Sequence, residues 1–207
     1  MSYSKEYVRN NTIRQVDLLW ADELKQQWKH FTRWGEIYDT ITTRIPHNCS
    51  MLDLGAGHEP IKKYKKHNSD YLSIDFCGKS MLNEDLNYQY LDLWKYRSGG
   101  KPLPEGADKK PWAVGLCVEL LEYLIDPGAF LEHYKQYASR WIITARVSRP
   151  DHIYLGPHPL RHRWRSHQEF VAFLKNHFSM VGAQPIQTNL KTCAGKMKPF
   201  VMAVCEV

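Results

Sequence analysis

No apolar run in this 207-residue chain comes near the roughly 18 residues that a membrane-spanning helix needs, so no membrane partner is expected. The segment from Met1 to Thr12 is polar and has no signal-peptide core; a cytoplasmic protein is expected. Cysteine is scarce and unpatterned. The five cysteines (Cys49, Cys77, Cys117, Cys193 and Cys205) are odd in number and show no CxxC or Cys/His ligand spacing. That excludes a disulfide scaffold and a structural zinc knuckle, and points to reduced thiols. Internal repeats and low-complexity tails are absent too.

What is present suits an ordinary globule: 43% hydrophobic and 24% charged residues, enough for one α/β domain with a small extension and a core that needs no staples. The net charge of +6 points to an anionic partner, and the excess is partly local. Six arginines and a single acid, Asp151, lie between Arg140 and Arg165. Such a stretch suits phosphate, nucleic acid or an acidic sugar, or simply a solvated basic surface.

Apolar residues at steps of three and four (Ile13, Val16, Trp20, Leu24, Trp28, Phe31) predict an amphipathic helix near the start. A second short helix is expected over Glu36 to Arg44, ended by Pro46. From Ser50 the pattern changes to short apolar runs alternating with helical or loop segments. Strands are expected at Met51–Leu54, Tyr71–Asp75, Tyr88–Leu93, Trp112–Cys117 and Trp141–Ala145. Helices are expected near Ile61–His67, Val118–Leu121, Gly128–Ser139 and Ser166–Phe178. Strands alternating with helices mean crossover units and a mostly parallel sheet. Ser166 reads as an N-cap with Glu169 as its capping-box acid. The last two runs, Val181–Thr188 and Phe200–Val207, have only a Gly-, Lys- and Thr-containing loop between them, which predicts an antiparallel hairpin.

The most telling stretch is Met51-Leu52-Asp53-Leu54-Gly55-Ala56-Gly57-His58-Glu59-Pro60. A buried strand runs into two glycines flanking one small residue, as it must where bare backbone approaches a ligand at a helix N-terminus. It is not a Walker loop, because GxxxxGK[ST] is missing. It is not a dinucleotide fingerprint, because Pro60 takes the place of the third glycine of GxGxxG. Asp75 follows Gly57 by 18 residues, about one crossover later, which brings its carboxylate beside the turn at the carboxyl edge of the sheet. There it can accept two hydrogen bonds from a vicinal diol. Asp92, at the end of the next strand, can accept from an amino group. A lone Asp after a strand is commonly a turn former; Asp53, Asp75 and Asp92 at three successive strand ends are harder to explain that way.

In these motifs and their order the chain resembles the class I S-adenosylmethionine-dependent methyltransferases, in particular the small-molecule and sugar-type group, over about Ser50 to Val207. Leu52 to Gly57 resembles that family's first motif, Asp75 its ribose-binding acid and Asp92-Leu93 its adenine-bracketing pair. Cys117 to Pro127 resembles its LEHL-x-DP segment after the fourth strand. Glu59 replaces the family's third glycine, Tyr123 its usual His, and Ala138-Ser139-Arg140 the glycine pair before the fifth strand. The resemblance implies a Rossmann-like, doubly wound α/β fold of three αβα layers, with an N-terminal helical cap over 1–47 and the cofactor domain over 48–207. It implies S-adenosyl-L-methionine as cofactor, bound by Asp53, Gly55, Gly57, Asp75, Asp92, Leu93 and Cys117.

Methyl transfer needs alignment and exclusion of water more than covalent chemistry from the protein. A hydroxyl acceptor also needs a general base, most often His. The segment after the fifth strand holds His152, His158, His162 and His167. His158 and His162 are the candidate bases, set against the plainer reading of surface histidines. No acid-rich partner set accompanies them, so no metal site is expected. Arg146, Arg149, Tyr154, Arg161 and Arg163 are candidates to bind an anionic acceptor, since guanidinium matches carboxylate and phosphate bidentately. Trp164 could stack on a sugar or base or anchor the loop to the core. The expected activity is methylation of an oxygen or nitrogen of a small polar acceptor by a monomer or homodimer. Two alternatives stand beside it: a nucleic-acid methyltransferase, and a non-catalytic subunit that binds the cofactor.

Overall fold

A computed structural model describes residues 37–56, 61, 70–75, 88–90, 111–124, 126–147, 164–186 and 200–207. The expected helix near the start and the body of the helix after Ile61 lie outside these residues. So do 91–93, 187 and 188, at the ends of two expected strands.

Among the described residues the apolar runs become seven strands: β1 (Met51–Leu54), β2 (Tyr71–Asp75), β3 (Tyr88–Tyr90), β4 (Trp112–Val118), β5 (Ala138–Arg146), β6 (Met180–Ile186) and β7 (Phe200–Glu206). They form one sheet in the order β3-β2-β1-β4-β5-β7-β6. All neighbouring pairs from β3 to β5 are parallel. β7 runs antiparallel to both β5 and β6, so the last two strands pair as the expected hairpin does. The chain builds outward from β1 through β2 to β3, then returns to lay β4 on the other side of β1. The winding therefore reverses between β1 and β4.

Each face of the sheet has its own core. Leu52, Leu54, Leu72, Ile74, Cys117, Trp141, Ile143, Ala145, Val201, Ala203 and Cys205 project to one face. There they meet α1 (Pro127–Tyr134) through Phe130, Leu131 and Tyr134, and α2 (His167–Lys175) through Phe170 and Leu174. Met51, Tyr71, Val114, Leu116, Ile142, Phe200 and Met202 project to the other face. They are covered by Ile61 and by Ile37, Tyr38 and Ile41 of a helical turn over 37–42. Burial of strands on both faces is the mark of a parallel sheet within three layers.

Local chemistry sets the helix starts. Asp126 caps α1 by accepting from the Ala129 N–H at 2.9 Å, and Pro127 occupies the first turn, where its missing N–H costs nothing. Ser166 caps α2 by accepting from the Glu169 N–H at 3.2 Å. Glu169 reaches one residue further back than a capping box requires, taking the Arg165 N–H at 2.6 Å.

Two expectations need correction. Residues 118–121 are not a helix: β4 continues through Val118, and a 3-10 turn follows only at Leu121–Tyr123. The cause is tertiary. The Glu119 N–H donates to the Thr144 carbonyl at 3.2 Å and to Thr144 Oγ1 at 3.1 Å, extending the β4–β5 pairing by one residue. The expected helix over 128–139 also ends early, at Tyr134. A 3-10 turn at Lys135–Tyr137 follows, and β5 already begins at Ala138, which pairs with Trp112.

Candidate functional site

In a doubly wound sheet the crevice for a ligand opens outside the carboxyl ends of the two strands where winding reverses. Here those strands are β1 and β4. Their neighbouring crossovers leave on opposite faces: Ile61, after β1, packs in one core, and Phe130 and Leu131, after β4, pack in the other.

One lip of the crevice is the glycine turn. Gly55 sits at φ +77, a conformation that side chains strongly disfavour. Its N–H donates to the Ile74 carbonyl at 2.8 Å, and the Ala56 N–H shares that carbonyl at 3.3 Å. The turn is thus tied to the end of β2, directly beside Asp75. A Cβ at Gly55 would stand 3.0 to 3.1 Å from Leu120, the residue that closes over the turn from the β4 side. Backbone is therefore brought close at the position where the spacing of the first motif demands it.

Beneath the turn lies Asp53, 2% exposed. Its Oδ2 accepts a hydrogen bond from the Tyr71 hydroxyl at 2.6 Å, short and charge-assisted, as suits a buried carboxylate. The other lip begins with Glu119 at φ 50, a non-glycine residue in the left-handed region held there by its two bonds to Thr144. Strain of this kind gathers at functional sites. Three residues on, Glu122 is 3% exposed and accepts from the Arg146 N–H at 2.6 Å, joining the segment after β4 to the end of β5. Cys117 lies within the core. Burial pushes its thiol well up, and the nearby charges of Glu122 and Asp53 push it further the same way. Two buried carboxylates, Asp53 and Glu122, thus lie near the end of β4.

The expected cofactor residues thus fall in part on one edge. Asp53 and Gly55 end β1, Asp75 ends β2 and Cys117 lies near the end of β4, where it pairs with Leu54. The Cys117 side chain is a core residue. Gly57, Asp92 and Leu93 lie outside the described residues, as do the candidate bases His158 and His162 and the candidate acceptor residues Arg149, Tyr154, Arg161 and Arg163.

Arg146 ends β5 at the same edge, with its guanidinium over the Phe200 ring, 5.6 Å from the centroid. Arg140 lies at the far end of β5, six residues earlier and so about 20 Å away, and is paired with Glu206 at 3.1 Å. The arginines from 140 to 165 are therefore not one patch. Trp164 is buried, edge-on to Phe170 at 4.9 Å; it anchors its segment to the core. Among the described residues no group of His, Cys, Asp and Glu could hold a metal ion, and no helix is long and apolar enough to cross a membrane.

Tyr71, Glu119 and Leu120 were not expected at the site. Tyr71 could have been found only from the β1–β2 register, which puts it on the face of Asp53. The pocketing of Gly55 by Leu120 depends on β4 lying beside β1, and the strain at Glu119 has no sequence signature.

No family model matches the chain, and no curated protein matches it. Solved structures do. One match is a chain from the complex between the Haloferax volcanii Trm112 methyltransferase activator and a candidate methyltransferase, with a TM-score of 0.67 at 14% identity over 91% of this chain and 96% of that one. A second is Burkholderia thailandensis 1,6-didemethyltoxoflavin-N1-methyltransferase, solved with its substrate and S-adenosylhomocysteine, with a TM-score of 0.63 at 15% identity over 100% of this chain and 92% of that one. The fold is that of the class I methyltransferases. An S-adenosylmethionine-dependent methyltransferase from Aquifex aeolicus matches end to end, covering 99% of this chain and 100% of its own at 17% identity, with a TM-score of 0.55.

Proposed function

We propose that the chain binds S-adenosyl-L-methionine in the crevice between β1 and β4 and transfers its methyl group to an oxygen or nitrogen of a small polar acceptor. The observation that carries this reading is the Gly55 turn. It is held at positive φ, tied to the end of β2 beside Asp75 and backed by a buried carboxylate, at the winding reversal of a class I methyltransferase fold. A side chain at position 55 would press into Leu120, so the turn stays bare backbone, and the carboxylates at this edge suit a ligand bearing ammonium and sulfonium charge. The solved neighbours include proteins named for this cofactor and one solved with its demethylated product.

In this reading Gly55 and Gly57 admit the methionine end of the cofactor to the backbone. Asp53 supplies negative charge beneath it, Asp75 accepts from the ribose hydroxyls, Asp92 and Leu93 bracket the adenine, and the end of β4 at Cys117 forms the opposite wall. The bound group supplies an activated methyl on a sulfonium; the chain aligns the acceptor and keeps water out. His158 or His162 takes the acceptor's proton where that acceptor is a hydroxyl. Arg146, Arg149, Tyr154, Arg161 and Arg163 bind an acidic or phosphorylated acceptor.

Calorimetric titration with S-adenosylmethionine and S-adenosylhomocysteine tests the reading. Both are expected to bind the wild type, with affinity reduced at least tenfold in Asp75→Ala, since two acceptor oxygens for the ribose hydroxyls are lost. A folded wild type that binds neither would overturn it. Turnover with a panel of sugars and small acids then separates an enzyme from a binding subunit, and salt-sensitive retention of RNA would mark a nucleic-acid acceptor instead.

A further inference from the structure

The contact between Tyr71 and Asp53 joins the first residue of β2 to the third residue of β1. The register aligns Tyr71 with Met51 and Asp53 with Ser73. The phenol therefore reaches two residues along the sheet, toward the carboxyl edge, to meet the carboxylate. Both side chains are buried, at 7% and 2% exposure, and the tyrosine ring packs in the core with Met51, Ile61 and Val114. A tyrosine placed for packing alone needs no hydroxyl at this depth, and burying one costs free energy without a partner. Here the hydroxyl ends on a carboxylate at 2.6 Å. This bond fixes the rotamer of the carboxylate. The charge sits two residues before Gly55, and its influence reaches across the winding reversal to Cys117 on β4.

We propose that Tyr71 is a positioning residue. Its hydroxyl holds the Asp53 carboxylate in place beside the glycine turn, where it attracts the α-ammonium group of the cofactor's methionine moiety. The inference rests on the cofactor assignment above and adds to it the division of labour between the two residues. Tyr71 touches no ligand; it acts through Asp53.

The test compares two probes that share the adenosine half and differ at the amino-acid end: S-adenosylhomocysteine, which carries the ammonium, and 5′-methylthioadenosine, which does not. Tyr71→Phe keeps the ring in the core and removes only the hydroxyl. It is expected to weaken S-adenosylhomocysteine about tenfold while 5′-methylthioadenosine stays within about twofold of wild type, the size expected for one charge-assisted hydrogen bond. Asp53→Asn is expected to show the same split and supplies the comparison should Tyr71→Phe fold poorly. The double variant should lose no more than Asp53→Asn alone, because the hydroxyl works only through that carboxylate. A wild type that binds both probes, with Tyr71→Phe unchanged or weakened equally for both, would overturn the positioning role and leave the cofactor assignment standing. A folded wild type that binds neither probe overturns the assignment and the positioning role with it.

Discussion

The indole of Trp141 lies against Gly115, its register partner on the neighbouring strand, so closely that a Cβ at position 115 would stand 2.5 Å from Cδ2 and Cε3. Gly115 is thus a socket. The ring is fully buried, and its Nε1–H donates to the Lys135 carbonyl at 3.0 Å, which pins the 3-10 turn to the start of β5. Gly115→Ala is expected to lower stability by about 1–3 kcal/mol through overpacking. Urea unfolding of Gly115→Ala, Trp141→Leu and the double variant should show the alanine costing much less once the indole is gone.

At Gly55 two penalties combine, and they can be separated. Left-handed backbone costs an alanine about 1–2 kcal/mol, and crowding by Leu120 adds to it. Adding Leu120→Ala to Gly55→Ala should relieve the crowding and leave the backbone penalty. Gly55→Asn, a residue more at ease at positive φ, should be milder in backbone strain and harsher in crowding. Thermal melts of these three variants and of Leu120→Ala alone check the partition.

Alkali should destabilise the fold in a defined window. Burial pushes the Cys205 thiol up to about 12, whereas a thiol in the unfolded chain ionises near 8.5. A group whose pKa is raised by folding gives its full stabilisation below the unfolded value and loses it as pH rises toward the folded one. The decline is about 1.4 kcal/mol per pH unit, or about 2 kcal/mol by pH 10. Cys117 shifts in the same direction. Denaturant midpoints at pH 8 and pH 10 should fall less between the two in Cys205→Ala than in wild type, whatever the alanine costs at pH 8.

The start of α2 offers a test on helix capping. Ser166→Ala removes the acceptor of the Glu169 N–H and is expected to cost about 1 kcal/mol. Glu169→Gln keeps an acceptor for the Arg165 N–H but removes charge from the first turn, where it favours the helix dipole, so a smaller loss of a few tenths of a kcal/mol is expected. Urea titration resolves the two.

The strands at the carboxyl edge were legible because their sequences are short, apolar and ended by turn residues. Met51–Leu54 and Tyr71–Asp75 begin and end where the apolar runs do. The helix expected over Val118–Leu121 does not form because the path there is dictated by Thr144 on another strand. The helix expected over Gly128–Ser139 ends early because neither the propensity nor the spacing of Ala138 announces that Trp112 will pair with it. The same limit governed the site. Asp53, Gly55 and Asp75 stand out as residue types in a fixed order. Tyr71 and Leu120 act only through register and strand order, which no local pattern encodes.

The crossovers on the two sides of the winding reversal rest on different faces of the sheet, each with its own hydrophobic footing. The side chains behind Ile61 and those behind Phe130 and Leu131 are separated by the sheet, and Leu120 against Gly55 is where the two lips meet. A substitution at Leu120 therefore reaches both halves of the crevice at once, whereas one at Phe130 or Leu131 starts on the side leading out of β4.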